Sequence, residues 1–141
     1  MNRKVTVNTL RNEHLTQAWE VWLTAGWNDD FGLSLSEFIT SWQASPVKQG
    51  VFFADQLVGI ARANTDGVLY AMIHDVVVSP DHRSQGLGKQ LVTGLVDALR
   101  AKGIRSIQLM AAQGQARFYQ GLGFVRRPEG GPGMTLADRA E

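Results

Sequence analysis

The stretch best equipped for chemistry is Val76-Val77-Val78-Ser79-Pro80-Asp81-His82-Arg83-Ser84-Gln85-Gly86-Leu87-Gly88-Lys89, which reads as a strand, a short polar turn, two glycines and the start of a helix. Glycine lets the backbone come close to a ligand. The first amides of a helix have no partner inside it, so they can donate to phosphate oxygens with the helix dipole behind them. The segment is a candidate anion cradle, against the plainer reading of a glycine turn that only caps a helix. Two familiar phosphate-binding patterns fail here. A Walker loop needs glycine at position 83 and serine or threonine after Lys89, where the chain has Arg83 and Gln90. A dinucleotide fingerprint needs glycine at position 91, where it has Leu91.

The remaining pattern, Arg-x-x-Gly-x-Gly at Arg83, Gly86 and Gly88, resembles the coenzyme A loop of the GCN5-related N-acetyltransferase superfamily. A second stretch, Ala116-Arg117-Phe118-Tyr119-Gln120-Gly121-Leu122-Gly123-Phe124, resembles the same superfamily's second signature, a short helix with an aromatic pair followed by Leu-Gly-Phe. The two come in the family order, one helix and one strand apart. The resemblance implies acetyl-coenzyme A (acetyl-CoA) as acetyl donor, with Arg83, Ser84, Gln85, Gly86, Leu87, Gly88 and Lys89 around its pyrophosphate. It places the backbone of Val76, Val77 and Val78 along the pantetheine arm, where the strand splays from a parallel neighbour. A splay leaves main-chain groups unpaired, and an amide-bearing arm can satisfy them. Tyr119 stands at the position of the tyrosine that protonates the departing thiolate. Phe118 joins the cofactor-binding set or packs as core.

Direct transfer needs a neutral amine, so a group must accept its proton, often through water. His74 is the first candidate, nine residues before Arg83, matching a strand position where arylalkylamine acetyltransferases place a catalytic histidine. Asp75 is the rival, since a β-bulge could reverse which of the two faces the acceptor. His14 and His82 show no metal-ligand spacing with His74, so no metal is expected, and His82 is expected in solvent or near phosphate. No Gly-x-Ser-x-Gly elbow or zinc-ligand pair occurs, which argues against serine and zinc hydrolases.

Before the loop the chain carries Trp19, Trp22, Trp27, Phe31 and Trp42. Trp27 and Phe31 lie between two expected helices and are assigned to the acceptor site, whereas core packing is favoured for Trp19, Trp22 and Trp42. The tail from Arg127 to Met134 resembles, more weakly, a subset with short bacterial members and plant serotonin-type acetyltransferases.

The elements that must position these residues follow from periodicity. Residues 5–7 suit a short strand, and 14–25 a helix with Leu15, Ala18, Trp19, Trp22 and Leu23 at helical spacing. Ser34 or Ser36 can cap a second helix running to Trp42. Residues 51–54 and 57–63 flank Asp55-Gln56 as a hairpin, and 68–78 reads as a central strand. Leu87, Leu91, Val92, Leu95, Val96 and Leu99 make one stripe of a helix over 87–102, ended by Gly103. A strand over 104–110, a short helix over 115–122 and a last strand over 124–126 follow, then irregular chain with an ordered contact at 134–136. The expected fold is α/β: a single N-acetyltransferase domain over 1–141, a mixed, mainly antiparallel sheet flanked by helices, with splayed central strands.

Composition sets the outer limits. The chain has 141 residues, 44% hydrophobic and 19% charged, with a formal net charge of +1 and no cysteine. That describes a globular chain with no apolar run long enough to span a bilayer and no broad basic face for nucleic acid. The absent cysteines exclude disulfides and a cysteine-linked acyl intermediate. With no apolar block after the charged N-terminus, the expected location is the cytoplasm. The expected partner is a small-molecule or peptide amine, with no nucleic acid and no membrane; a homodimer is compatible with the sequence and not determined by it. Two other readings stay open: a non-catalytic acyl-CoA sensor or interaction module on the same fold, and an NTP-binding loop protein, which the failed Walker spacing disfavours.

Overall fold

Apolar and β-branched residues crowd positions 47–78. In the computed structural model, which describes residues 4–137, they form the middle of a five-stranded sheet ordered β1-β2-β3-β4-β5. The strands are β1 (Val5–Thr9), β2 (Val47–Phe53), β3 (Gln56–Thr65), β4 (Tyr70–Val78) and β5 (Ser106–Leu109). Neighbours pair antiparallel from β1 to β4, and β4 pairs β5 in parallel. The mixed, mainly antiparallel sheet with flanking helices matches the expectation.

The helices are α1 (Leu15–Leu23), α2 (Asn28–Phe31), α3 (Leu35–Gln43), α4 (Leu87–Ala101) and α5 (Ala116–Gln120). The chain divides into two compact units between Leu109 and Met110. In the first, α1 and α3 bury Leu15, Ala18, Trp22, Phe38 and Trp42 with Ile60 and Val77 of the sheet. A side chain built on Gly59 would meet Leu91 of α4, so the residue next to Ile60 faces α4 and the sheet is covered on both faces. Along α4, Leu87, Leu91, Val92, Leu95 and Leu99 are buried, each contributing about 1.5–3 kcal/mol of hydrophobic stabilisation.

Ser34 caps α3. Its Oγ accepts the Glu37 amide at 3.1 Å, and Glu37 Oε1 accepts the Ser34 amide at 2.9 Å. The aromatic loop after α1 contains the short helix α2, and β4 begins at Tyr70 because the Asp66 carboxylate first takes the amides of Val68 and Leu69 into a turn.

The second unit holds α5 and otherwise irregular chain. The strand expected over 124–126 does not form: the Phe124 amide donates to the Tyr119 carbonyl at 3.1 Å, closing α5 instead of entering a ladder. The ordered contact expected at 134–136 is also corrected, since Met134 and Leu136 are 84% and 93% exposed. Among the described residues no helix is long and apolar enough to cross a membrane.

Candidate active site

Strand β4 carries a bulge where the candidate chemistry lies. Arg62 pairs with His74 and Ile60 with Val77, so Ala61 alone on β3 stands opposite both Asp75 and Val76. Asp75 takes φ +57°, a left-handed conformation rare outside glycine. On the other side, the parallel ladder ends at Ile73 opposite Leu109. Beyond it, no strand among the described residues pairs β4 on its β5 side, in line with the splay expected at Val76, Val77 and Val78. Val77 buries its side chain in the core. What this edge offers a ligand is therefore backbone.

After β4, a 3-10 turn at Pro80–His82 leads into the loop, where Ser84 (φ +63°) and Gly86 (φ +78°) are left-handed. The first helical bond runs from the Gln90 amide to the Gly86 carbonyl at 3.3 Å. Before it, the amides of Ser84, Gln85, Gly86, Leu87, Gly88 and Lys89 donate to no carbonyl or side chain among the described residues. Successive unpaired amides at a helix start make a concave anion site. Nothing lies within 4 Å of a Cβ built on Gly86, so the space beside the loop is open. These residues fit a pyrophosphate. Arg83 Nε donates to the Val78 carbonyl at 3.0 Å, which ties the loop to the end of β4. His82 is half-buried and not solvated: its ring packs on Phe53 at 5.3 Å, and its Nδ1 is sealed from solvent without a hydrogen bond.

The two proton-acceptor candidates sit in contrasting settings. The Asp75 carboxylate is engaged at both oxygens: Oδ2 accepts from Arg62 Nε at 2.7 Å and Oδ1 from Trp22 Nε1 at 3.2 Å. Arg62 also donates to Ser41 O and Oγ, each at 2.9 Å, and to Ser45 Oγ at 3.1 Å, while its guanidinium lies 5.1 Å from the Trp42 ring centre. Nearby, burial and then the Arg62 charge push the Lys48 ammonium below the usual lysine range. The His74 imidazole is half-buried and makes no hydrogen bond among the described residues. As the cross-strand partner of Arg62, it stands on the same face of the sheet. Arg62 was not among the expected site residues. Its signal was a lone charge inside the apolar run 57–63, which a strand tolerates when the charge is paired.

In the second unit, Gly123 turns the chain at φ +97° and returns the Phe124 ring edge-on to Tyr119, with centres 5.9 Å apart. Phe118 meets Tyr119 edge-on at 5.0 Å and is itself 37% exposed. Burial pushes the Tyr119 phenol above the ordinary tyrosine value, so it keeps its proton at neutral pH. Its hydroxyl has no partner among the described residues.

The aromatic pair assigned to the acceptor divides. Phe31 is 69% exposed, while Trp27 is half-buried against the core. Trp22 and Trp42 are buried and Trp19 stacks on Trp22 at 5.8 Å, as core packing requires. An open concavity of about 640 Å³ lies elsewhere, along β1 and the start of α1, lined by Thr6, Asn8, Arg11, His14, Phe52 and Asp55; none of the expected site residues lines it.

Comparison with known proteins places this geometry. The profile of the acetyltransferase (GNAT) family matches residues 12–124. A chloroplastic protein of Arabidopsis thaliana named GCN5-related N-acetyltransferase 2 is 48% identical over 79 residues, which are 56% of this chain and 31% of that protein. The match thus spans about a third of that relative's length. A crystal structure of a Trypanosoma brucei acetyltransferase is similar at TM-score 0.73 and 26% identity, over 95% of this chain and 99% of that one. An aminoglycoside N-acetyltransferase solved with CoA shares the fold at TM-score 0.76 and 14% identity, over 99% of this chain and 98% of that one.

Proposed function

Since the chain belongs to the acetyltransferase (GNAT) family, we propose that it transfers an acetyl group from acetyl-CoA directly to a primary amine of a small molecule or peptide. The observation that carries this reading is the run of unpaired amides from Ser84 to Lys89 beside the open edge of β4. In the proposal those amides and Arg83 hold the pyrophosphate, and the backbone of Val76, Val77 and Val78 pairs with the amides of the pantetheine arm. Bound there, acetyl-CoA supplies an activated thioester.

His74 accepts the proton of the amine, directly or through one water. Its unengaged imidazole supports that role over Asp75, whose two oxygens are held. Tyr119 holds a proton on Oη for the departing sulfur, and Phe118 packs beside it on the cofactor side. Phe31, with Trp27 behind it, contacts the acceptor. In the proposal the chain is a single N-acetyltransferase domain acting in the cytoplasm.

The test is release of free CoA thiol from acetyl-CoA across a panel of arylalkylamines, polyamines and lysine peptides. Amine-dependent thiol release is the expected result. Acetyl-CoA binding without release on any amine would instead favour a non-catalytic sensor on this fold.

A further inference from the structure

Arg62 and Asp75 form the least exposed ion pair among the described residues, with side chains 15% and 18% exposed, at the one position of β4 that is left-handed. A non-glycine residue held in that conformation persists only where its surroundings over-determine it. Here they do. Asp75 reaches Trp22 on α1 and Arg62 on β3, and Arg62 in turn reaches Ser41 on α3 and Ser45 just past its end. One carboxylate therefore joins both aromatic helices to the bulge.

The bulge has a consequence for the open edge. The side to which a strand's peptide groups point alternates along the chain, so one extra residue at Asp75-Val76 sets which amides and carbonyls of Val76, Val77 and Val78 face the β5 side. If the bulge slipped by one residue, the groups offered to a ligand would be exchanged for those now facing β3.

We propose that Arg62, Asp75 and Trp22 are a positioning clasp: they pin the β4 bulge so that the backbone of Val76 to Val78 presents the correct groups to the pantetheine arm, and Asp75 takes no proton in the reaction. The proposal rests on acetyl-CoA being the ligand of this edge.

The test compares wild type, Asp75→Asn, and the double variant Arg62→Met with Asp75→Asn, each by amide resonances of the ligand-free protein and by calorimetric titration with acetyl-CoA. Asparagine tolerates a left-handed backbone and can still accept from Trp22, but its amide would confront the Arg62 donors. Losing one partner strands a part-buried polar group, and losing both still unties the bulge from Ser41 and Ser45. Asp75→Asn should therefore shift the Val76–Val78 amides and weaken acetyl-CoA binding about tenfold or more, the size of one charge-assisted hydrogen bond. The double variant, which lacks the clasp, should keep both changes, with shifted Val76–Val78 amides and affinity still about tenfold or more below wild type. Unmoved Val76–Val78 amides in Asp75→Asn, or a double variant with wild-type amides and affinity, overturns the clasp. If Asp75→Asn does not fold, Trp22→Phe, which removes the indole donor together with part of its buried ring, should shift the same amides by a smaller amount, and no shift overturns the proposal. Because the amide readout needs no ligand, a wild-type protein that fails to bind acetyl-CoA would refute the functional reading and leave the clasp separately decided.

Discussion

At Asp75 every carboxylate oxygen is spoken for, while at residues 84–89, a few positions further along the same connection, a run of amides has no partner among the described residues. Both places hold left-handed residues and both look functional by residue type. The difference is what remains available. A polar group whose bonds are filled from within can shape a site but has nothing to offer a ligand; one left unfilled at a helix start has paid its desolvation nowhere and gains on meeting an anion. His74 and the Tyr119 hydroxyl belong with the loop in this respect, and Arg62 belongs with Asp75.

The largest effect should come from an unengaged group. Tyr119→Phe removes one hydroxyl and keeps the ring between Phe118 and Phe124. General acid catalysis contributes about 10²–10⁴-fold, against close to tenfold for one ordinary hydrogen bond. On the best amine, kcat should fall at least about a hundredfold, with acetyl-CoA affinity and Tm little changed. A fall within about threefold, when chemistry limits the rate, would return Tyr119 to a packing role.

Next comes Gly86→Glu, which puts a carboxylate where phosphate is proposed to sit. The space beside Gly86 is open, so the fold should survive with about 1 kcal/mol lost to its left-handed backbone. Acetyl-CoA affinity should drop about thirtyfold or more by calorimetry, since one like charge and several lost amide contacts act together. Unchanged affinity would take the loop out of the site.

An engaged group should respond in stability first. Arg62→Met leaves Asp75 charged and half-stranded, and about 2–3 kcal/mol of stability should go, read as the shift in a denaturant midpoint. Retained stability would mean that the pair is not the structural element its burial indicates. Phe31→Ala should do least, changing acceptor KM a few-fold, because a largely exposed ring has about 1 kcal/mol to lose. Cofactor affinity should stay put; the opposite pattern would move Phe31 to the donor side.

Legibility in the sequence followed the same division. The geometry of the loop was readable because glycine at a helix start reports backbone conformation directly, and the packing at Tyr119 because its motif is local: Gly123 turns the chain so that Phe124 folds back on the tyrosine five residues earlier. α4 was readable from one apolar stripe. The clasp was not, because Trp22, Arg62 and Asp75 are far apart in the chain and meet only once the sheet has formed. The bulge was foreseen as an alternative, but Arg62 was not singled out, because a lone charge in a strand does not tell which residue it pairs with. The strand expected over 124–126 failed for a related reason: apolar pattern suggested a ladder, while the Phe124 amide was already committed to closing α5. Trp27 and Phe31 share a loop in sequence, yet α2 turns one against the core and the other outward.

The central claim is that unpaired amides of residues 84–89 hold the pyrophosphate of acetyl-CoA. It is tested most directly by titrating acetyl-CoA into isotope-labelled protein and following every backbone amide. Saturable binding with the largest shifts at Ser84 to Lys89, accompanied by shifts at Val76 to Val78, is the predicted result. Saturable binding that leaves the Ser84 to Lys89 amides unmoved, or no binding at millimolar ligand, would contradict it.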